Sequence, residues 1–362
     1  MERLKEAKMV TQAAGLAVLN PVAQIAKAPR ESGAPEPSRR EEFTGADTLA
    51  AWESFNSEFL ERGWGDGFPL VAPTPERVAA FLDAVKRLEL GPLDVIGKPL
   101  APGNGIATVE KLAINCAMAG CRPEHLTVLI SAVEAITETE SQAFQADLQS
   151  HAGHFPMILI SGPIIEQLNI NSGMCSLGPG KPSLVNTVIG RALRLILMNV
   201  GHAYPTDQDL DTIGVPQKYS YCLAENEEQN PWHEPFHVEI GFKPRDSVIT
   251  VFSVSEVGHF GGYTAEPERL LISLVKGMRH AGGDQFLADG GDSSEKGYLI
   301  IYCPDHARSM AVGGETKESI RRYAVENVPL KGSEKVHFTV VGGPSSGSHV
   351  YHALPSISRL IN

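Results

Sequence analysis

The chain has 362 residues, 42% of them hydrophobic and 20% charged, and carries a formal net charge of -12. That length suits one large α/β domain or two ordinary ones, and the composition is that of a globular protein. The acidic balance excludes a general polyanion binder, because nucleic-acid binding rests on a basic footprint.

The first thirty residues, MERLKEAKMVTQAAGLAVLNPVAQIAKAPR, have an apolar middle interrupted by Asn20 and Pro21, with acids at Glu2 and Glu6. That fits a secretory or transit peptide poorly. A loosely docked amphipathic helix is expected, with a targeting role as the alternative. Residues 28–42 are rich in Pro, Ser and charge and read as a disordered linker, so folding should begin near Phe43. Leu49, Trp52, Phe55 and Phe59 then repeat at helical spacing. The segment WGDGFPLVAPTPERVAAFLDAV reads as a turn, a short strand, and a helix capped by Thr74 with Pro75 at its first position.

Further along, IATVEKLAINCAMAG is a helix stopped by Gly120, and Pro123 opens another. FPMILISG is a short buried strand. LVNTVIGRALRLILMNVG is a long helix apolar nearly all round, hence buried. SVITVFSVSEVGHFGG, KGYLIIYCPDH and VHFTVVGGPSSGSH each read as an apolar strand running into a small or polar loop, with helices near 266–280 and 315–326. Alternating strands and helices predict an α/β fold: a mixed or mostly parallel sheet with helices on its faces, ligands gathering at the strands' carboxyl ends. Two similar α/β halves are an alternative. The expected divisions are 1–42, a core over 43–240, and a C-terminal α/β part over 241–362. No apolar run approaches the roughly 20 residues a bilayer span needs. The five cysteines, odd in number and without a CxxC pair, suggest reduced thiols in a cytoplasm.

INSGMCSLGPGKPS (170–183) imitates a phosphate loop but fails as one. Taking Gly180-Lys181 as the GK pair puts Cys175 at the first glycine and Pro182 at the metal-binding hydroxyl. Asn171, Ser172, Gly173, Gly178 and Gly180 still offer backbone amides at the start of a buried helix, a fair anion site. A glycine-rich connection with Ser183 as an ordinary cap is the competing reading. On that helix, Arg191 and Arg194 need partners, either protein carboxylates or an anionic ligand. For Arg194 a protein carboxylate is preferred; for Arg191 the two are even. The expected protein partners are Glu225, Glu227 and Glu228 around Asn226. Glu225 and Glu227 could equally ligate a metal or serve as general base.

His151/His154 (HxxH) and His233/His237 (HxxxH) could hold a divalent metal with Glu234 or Glu239, but Gly and Pro among them argue against helical spacing. Cys116, Cys222 and Cys303 read as core thiols. Cys121 and Cys175, near helix junctions, could be thiolates, with Cys175 kept as a candidate nucleophile. His259 and the hydroxyls of Ser345 and Ser346 lie near strand ends, where they could meet a ligand.

The segments GDGFPLVAPTPERV, TVEKLAINCAMAGCRPEHL, LISGPI with NINSG, GRALRLILMNVG and KYSYCLAENEEQNPW together resemble an uncharacterised bacterial protein family. That family is associated with small selenocysteine or cysteine proteins bearing a UGSC motif. The resemblance covers roughly residues 60–255 and implies no assigned activity. It places Asp66, Glu110, Lys111, Asn115, Asn171, Arg191, Glu225 and Asn226 inside family motifs. No UGSC or CGSC occurs in this chain, so that motif's redox chemistry is not carried over. The Met174-Cys175 pair departs from the family's loop, which counts against Cys175.

The resulting expectation is an enzyme acting on a small anionic molecule. Arg191 and the loop amides would hold the anion while Glu110, Lys111 or Glu225 moves a proton. The class would be lyase, hydratase or hydrolase, without an organic cofactor. The alternatives are a non-catalytic partner of a small thiol or selenol protein, and a His/Glu metalloenzyme. Self-association into a homo-oligomer is left open.

Overall fold

The computed structural model describes residues 7–12 (as backbone), 35–138, 153–263, 265–283, 297–328, 330, 336–353 and 357–362. Strand β1 (Ala7–Gln12) pairs antiparallel with β2 (Arg40–Gly45), Met9 opposite Phe43. A strand over 7–12 thus stands within the stretch expected as an amphipathic helix, whose remaining residues lie outside those described, and regular structure is present ahead of Phe43. The β-branched Val10 and Thr11 favour that conformation once a partner backbone is offered.

Helix α1 (Thr48–Glu61) starts at Asp47, whose carboxylate accepts the Ala50 amide, and it buries Phe55 and Phe59 against Phe43. Helix α2 (Pro75–Ala84) starts as expected, with Thr74 accepting from the Arg77 amide and Pro75 at the first position. The short strand expected before it does not form. Val71 instead gives its amide to Met118 at the end of α3 (Val109–Ala119), so this stretch lies along a helix rather than in a sheet. Every residue of α3 is buried, and Gly120 ends it at φ 88°, where a side chain would be strained. Helix α4 (Leu126–Glu138) follows.

The rest alternates as the sequence pattern requires. Strand β3 (Phe155–Ser161) leads to helix α5 (Leu184–Asn199), then β4 (Cys222–Ala224) and the long β5 (Val248–Gly261). Helix α6 (Pro267–Met278), β6 (Gly297–Tyr302), α7 (Pro304–Val312) and α8 (Lys317–Asn327) come next. Strands β7 (Val336–Val340), β8 (Gly347–Ala353) and β9 (Ile357–Leu360) close the chain. The last two strands and α7 were not read from the sequence.

One seven-stranded sheet runs β4-β3-β5-β8-β6-β7, with β9 beside β5. Only β3/β4 and β6/β7 are parallel pairs; the others are antiparallel. This is a mixed α/β sheet, and strands from both sides of residue 240 share it. Its outer face is helical throughout. Helices α4 and α5, with α3 packed on them, cover Ile158, Ile160, Ile249 and Val251. Helices α6, α7 and α8 cover Tyr298, Ile300, Phe338 and Val350. The inner face carries a third core: Met157, Leu159, Leu223, Phe252, Leu299, Ile301 and Tyr351, sealed by Phe236. No helix among the described residues is long and apolar enough to cross a membrane.

The sheet is curled. Six strands laid flat would separate β4 from β7 by about 24 Å, at about 4.8 Å per step. Yet Asn226, just past β4, gives its amide to Val340 of β7 at 2.7 Å and its side-chain Nδ2 to Gly342 at 2.9 Å. That clasp gathers the loops leaving all four parallel strands. Gly342 in turn bonds Ser172, Trp232 Nε1 bonds Glu315, and Arg308 bonds Gln229.

Two imidazoles beside the inner core bear on stability. Burial pushes both His337 and His349 down to about 4, with Arg321 and His259 respectively adding to the effect. A depressed histidine favours the neutral form in the fold, so its stabilisation is complete above the unfolded value near 6.5 and is lost as pH falls toward 4. Urea unfolding should therefore show a drop of about 2 kcal/mol per histidine between pH 7 and 4.5. In His337→Gln that slope should be shallower; an unchanged slope would remove His337 as a cause.

Candidate functional site

The glycine loop folds around Asn171. Its Nδ2 donates to the carbonyls of Met174 and Cys175 and to Ser183 Oγ, and its Oδ1 accepts the Gly173 amide at 3.0 Å. Asn186 on α5 ties the loop down through the Asn171 amide and carbonyl. Ser183 does not cap α5; its hydroxyl bonds the Cys175 carbonyl. The polar groups expected to meet an anion are thus largely spent on the loop itself. Gly178 and Gly180 remain in the connection, with Gly180 at φ 101°. Cys175 is exposed at φ 52°, a turn position.

Arg191 is also committed. Its Nε and one terminal nitrogen form a two-pronged pair with Asp66 at 2.7 and 2.8 Å, and that nitrogen also meets the carbonyls of Phe68 and Pro69. Arg194 pairs with Asp209, which Lys218 also contacts. Asp66, 125 residues from Arg191, and Asp209, 15 from Arg194, therefore replace the glutamates 225, 227 and 228 expected as partners. Helix packing also separates Arg191 from Glu225. Asn186 bonds the Cys222 carbonyl while Gly190 packs on Ser220, so α5 runs antiparallel to β4. That leaves Arg191 beside the chain entering β4, whereas Glu225 follows its end.

Glu110, Lys111 and Asn115 sit inside buried α3, each bonded to protein groups. Glu110 accepts the Ser38 amide, Lys111 Nζ reaches the Ile106 carbonyl, and Asn115 links to Asn199 of α5 at 2.7 Å. Cys121 gives its thiol to the Val188 carbonyl. Cys116, Cys222 and Cys303 are buried as expected. His259 lies within β5 rather than in the loop beyond it, its ring 4.4 Å from that of His349. His151 is outside the described residues. His233 is exposed, and Glu239 is paired with Lys317 and Arg321.

Two groups of reactive side chains do lie near the gathered strand ends. In the first, Glu225 follows β4 and is 1% exposed. It accepts from Ser161 Oγ at 2.8 Å and from the Phe236 amide at 2.9 Å. Burial pushes its carboxyl up to about 7; the Phe236 amide and Ser161 oppose the shift, and the Glu227 charge adds to it. Glu227 takes the Gly162 amide, and His237 stands beside it, Nδ1 to Oε1 3.7 Å.

The second group escaped the sequence reading, which took Cys303 as a core thiol only; it is buried, as expected, but beside an ionisable partner. Cys303 is the residue before the first turn of α7, at the carboxyl end of β6. Its thiol donates to the Ser345 carbonyl at 2.9 Å, and its amide donates to Ser348 Oγ at 3.0 Å. Ser348 Oγ in turn lies 2.8 Å from His306 Nδ1, while His306 Nε2 bonds the Gly262 carbonyl. Burial pushes the thiol up, but the His306 side chain, the His306 amide and Ser348 outweigh it, so the thiol sits below its ordinary value. Burial lowers His306, and Cys303, the Gly262 carbonyl and Asp305 together more than reverse that. The signal was available in Cys303-Pro304-Asp305-His306: a proline after a strand opens a helix, leaving the cysteine at its N-terminus and a histidine one turn on. Ser345 and Ser346 contribute carbonyls here, Ser346 to the Gly262 amide.

A shallow depression along α1, lined by Ser54, Ser57, Glu58, Glu61 and Arg62, gathers none of these groups; Arg62 there is bound to Glu41 and Glu58. No family model matches the chain, and no curated protein matches it.

If Arg191 is structural, Asp66→Ala should strand a largely buried guanidinium, since the two side chains are 15% and 2% exposed. Denaturant unfolding should show a loss of about 3 kcal/mol. A neutral result would return Arg191 to the list of ligand-binding groups.

Proposed function

We propose that the protein is an enzyme of small-molecule chemistry that uses the Cys303 thiolate as nucleophile on an anionic organic substrate. The observation carrying this reading is the seating of Cys303 at the start of a nine-residue helix, with His306 one turn on and Ser348 between them. A thiolate is favoured by a helix N-terminus and an adjacent imidazolium, and a nucleophile, base and orienting group in mutual reach is the arrangement covalent catalysis requires.

In the hydrolytic form of the reaction, the sulfur attacks a carbonyl carbon and a thioester forms. The departing group takes its proton from His306, and water, deprotonated by His306, then releases the acid and restores the thiol. Gly262, through its carbonyl, orients His306, and the Ser345–Gly347 loop covers the sulfur. The positive end of α7 and the His306 charge favour a carboxylate-bearing substrate over a neutral one. This keeps the anionic substrate and hydrolase class expected from the sequence but moves the chemistry from Glu110, Lys111 and Cys175 to Cys303.

The test uses the Cys175→Ser background, which removes the exposed thiol. Cys303 should be alkylated at pH 7 faster by iodoacetate, relative to iodoacetamide, than a free thiol is. His306→Gln should raise the apparent thiol pKa and slow turnover of any hydrolysed substrate by about 10²-fold or more. Alkylation at the free-thiol ratio, unaffected by His306→Gln, would overturn the proposal.

A further inference from the structure

The carboxylate–histidine group under the strand-end loops has a property the thiol reading does not use. His237, in the short helical turn Phe236–Glu239, is 0% exposed, and neither of its ring nitrogens has a hydrogen-bond partner. Buried polar side chains are almost always partnered, so an imidazole with both nitrogens idle asks for a ligand. The atoms it faces are carboxylate oxygens. One donor atom each from Glu225, Glu227 and His237 lies within 4.8 Å of the others.

The electrostatics point the same way. Two carboxylates held this close and largely out of water repel each other unless a cation or a proton intervenes. Among the described residues no lysine or arginine bonds to either. The nearest cation, Lys317, is already engaged by Glu239 at 2.6 Å and by the Glu234 carbonyl at 2.7 Å. Arg321 likewise pairs with Glu239. The carboxylates are also aimed: Ser161 and the Phe236 amide hold Glu225, and the Gly162 amide holds Glu227. Such outer hydrogen bonds are what orient metal-binding carboxylates.

We propose that Glu225, Glu227 and His237 bind a first-row divalent metal ion of the zinc or manganese kind. A set of one imidazole and two carboxylates, with no thiolate, suits those ions rather than copper(I). Bonds of about 2.0–2.2 Å need donor atoms roughly 3–3.5 Å apart, a closure that small side-chain rotations supply. Three protein ligands leave further positions open for water or a substrate oxygen. The assignment stands independently of the thiol reading, since Cys303 is not among the ligands.

The full chain, stripped with a chelator, is titrated with zinc by calorimetry and with cobalt(II) by visible absorption. One equivalent of zinc should bind and raise the melting temperature, and cobalt should show ligand-field bands. His237→Gln should weaken zinc at least tenfold and remove those bands. The exposed His233→Gln and Cys303→Ser should bind as the unaltered protein does. If His237→Gln fails to fold, Glu227→Gln carries the same expectation. No zinc or cobalt binding by the unaltered protein overturns the proposal. So does undiminished binding by a folded His237→Gln or Glu227→Gln, or binding lost in Cys303→Ser.

Discussion

The architecture depends on one clasp, formed where Asn226 reaches β7. Strand β4 is only three residues long and sits at the sheet's edge, so on its own it would leave backbone groups open and its loop unsupported. Bonding of Asn226 to Val340 and Gly342 closes the curl and converts two sheet edges into a joined seam. Because β3/β4 and β6/β7 are the only parallel pairs, their loops would otherwise leave at separated places. The curvature brings them together. Glu225 and Cys303 come from strands at opposite sides of the sheet order, yet both sit close to the exit of β7.

Charge is spent in two ways in this molecule. Arg191, Arg194, Lys111 and Lys317 are wholly or mostly withdrawn from water, and each is answered by protein oxygen atoms. Such groups hold the fold, since an unanswered buried charge would cost more than the rest of its side chain contributes. His237 and Cys303 differ. One has no hydrogen-bond partner at either ring nitrogen, and the other is poised between a histidine, a serine and a helix end. The groups that looked most reactive by composition, two arginines on an apolar helix, are the least available. Chemistry is better sought where satisfaction is incomplete.

Much of the local structure was readable because it follows from local rules. The caps at Thr74 and Gly120, the buried helices α3 and α5, the strand at 155–161 and the mixed α/β class depend on periodicity and backbone preference. These are properties of neighbouring residues. The readings of the site that failed mostly concern partners across the chain. Asp66 lies 125 residues from Arg191, and Ser348 lies 42 from His306. Nothing in local spacing says that those pairs meet. The expected HxxxH pair dissolved for the same reason: His237 is buried beside Glu227, while His233, four residues earlier, faces solvent.

By itself, then, the sequence determined which segments coil, which extend, and where each stops, because dihedral preference and apolar period act over a few residues. It also determined that several ionisable groups would be buried, since they sit in runs too apolar to stay in water. Only the tertiary structure decided what answers each of them. The glycine loop became a self-bonded turn, and Arg191 a strut to Asp66. A cysteine that read as core is buried as expected, but at a helix mouth beside His306. Those outcomes depend on how far the sheet curls and which strand ends it joins, and that curvature belongs to the packed whole rather than to any segment of it.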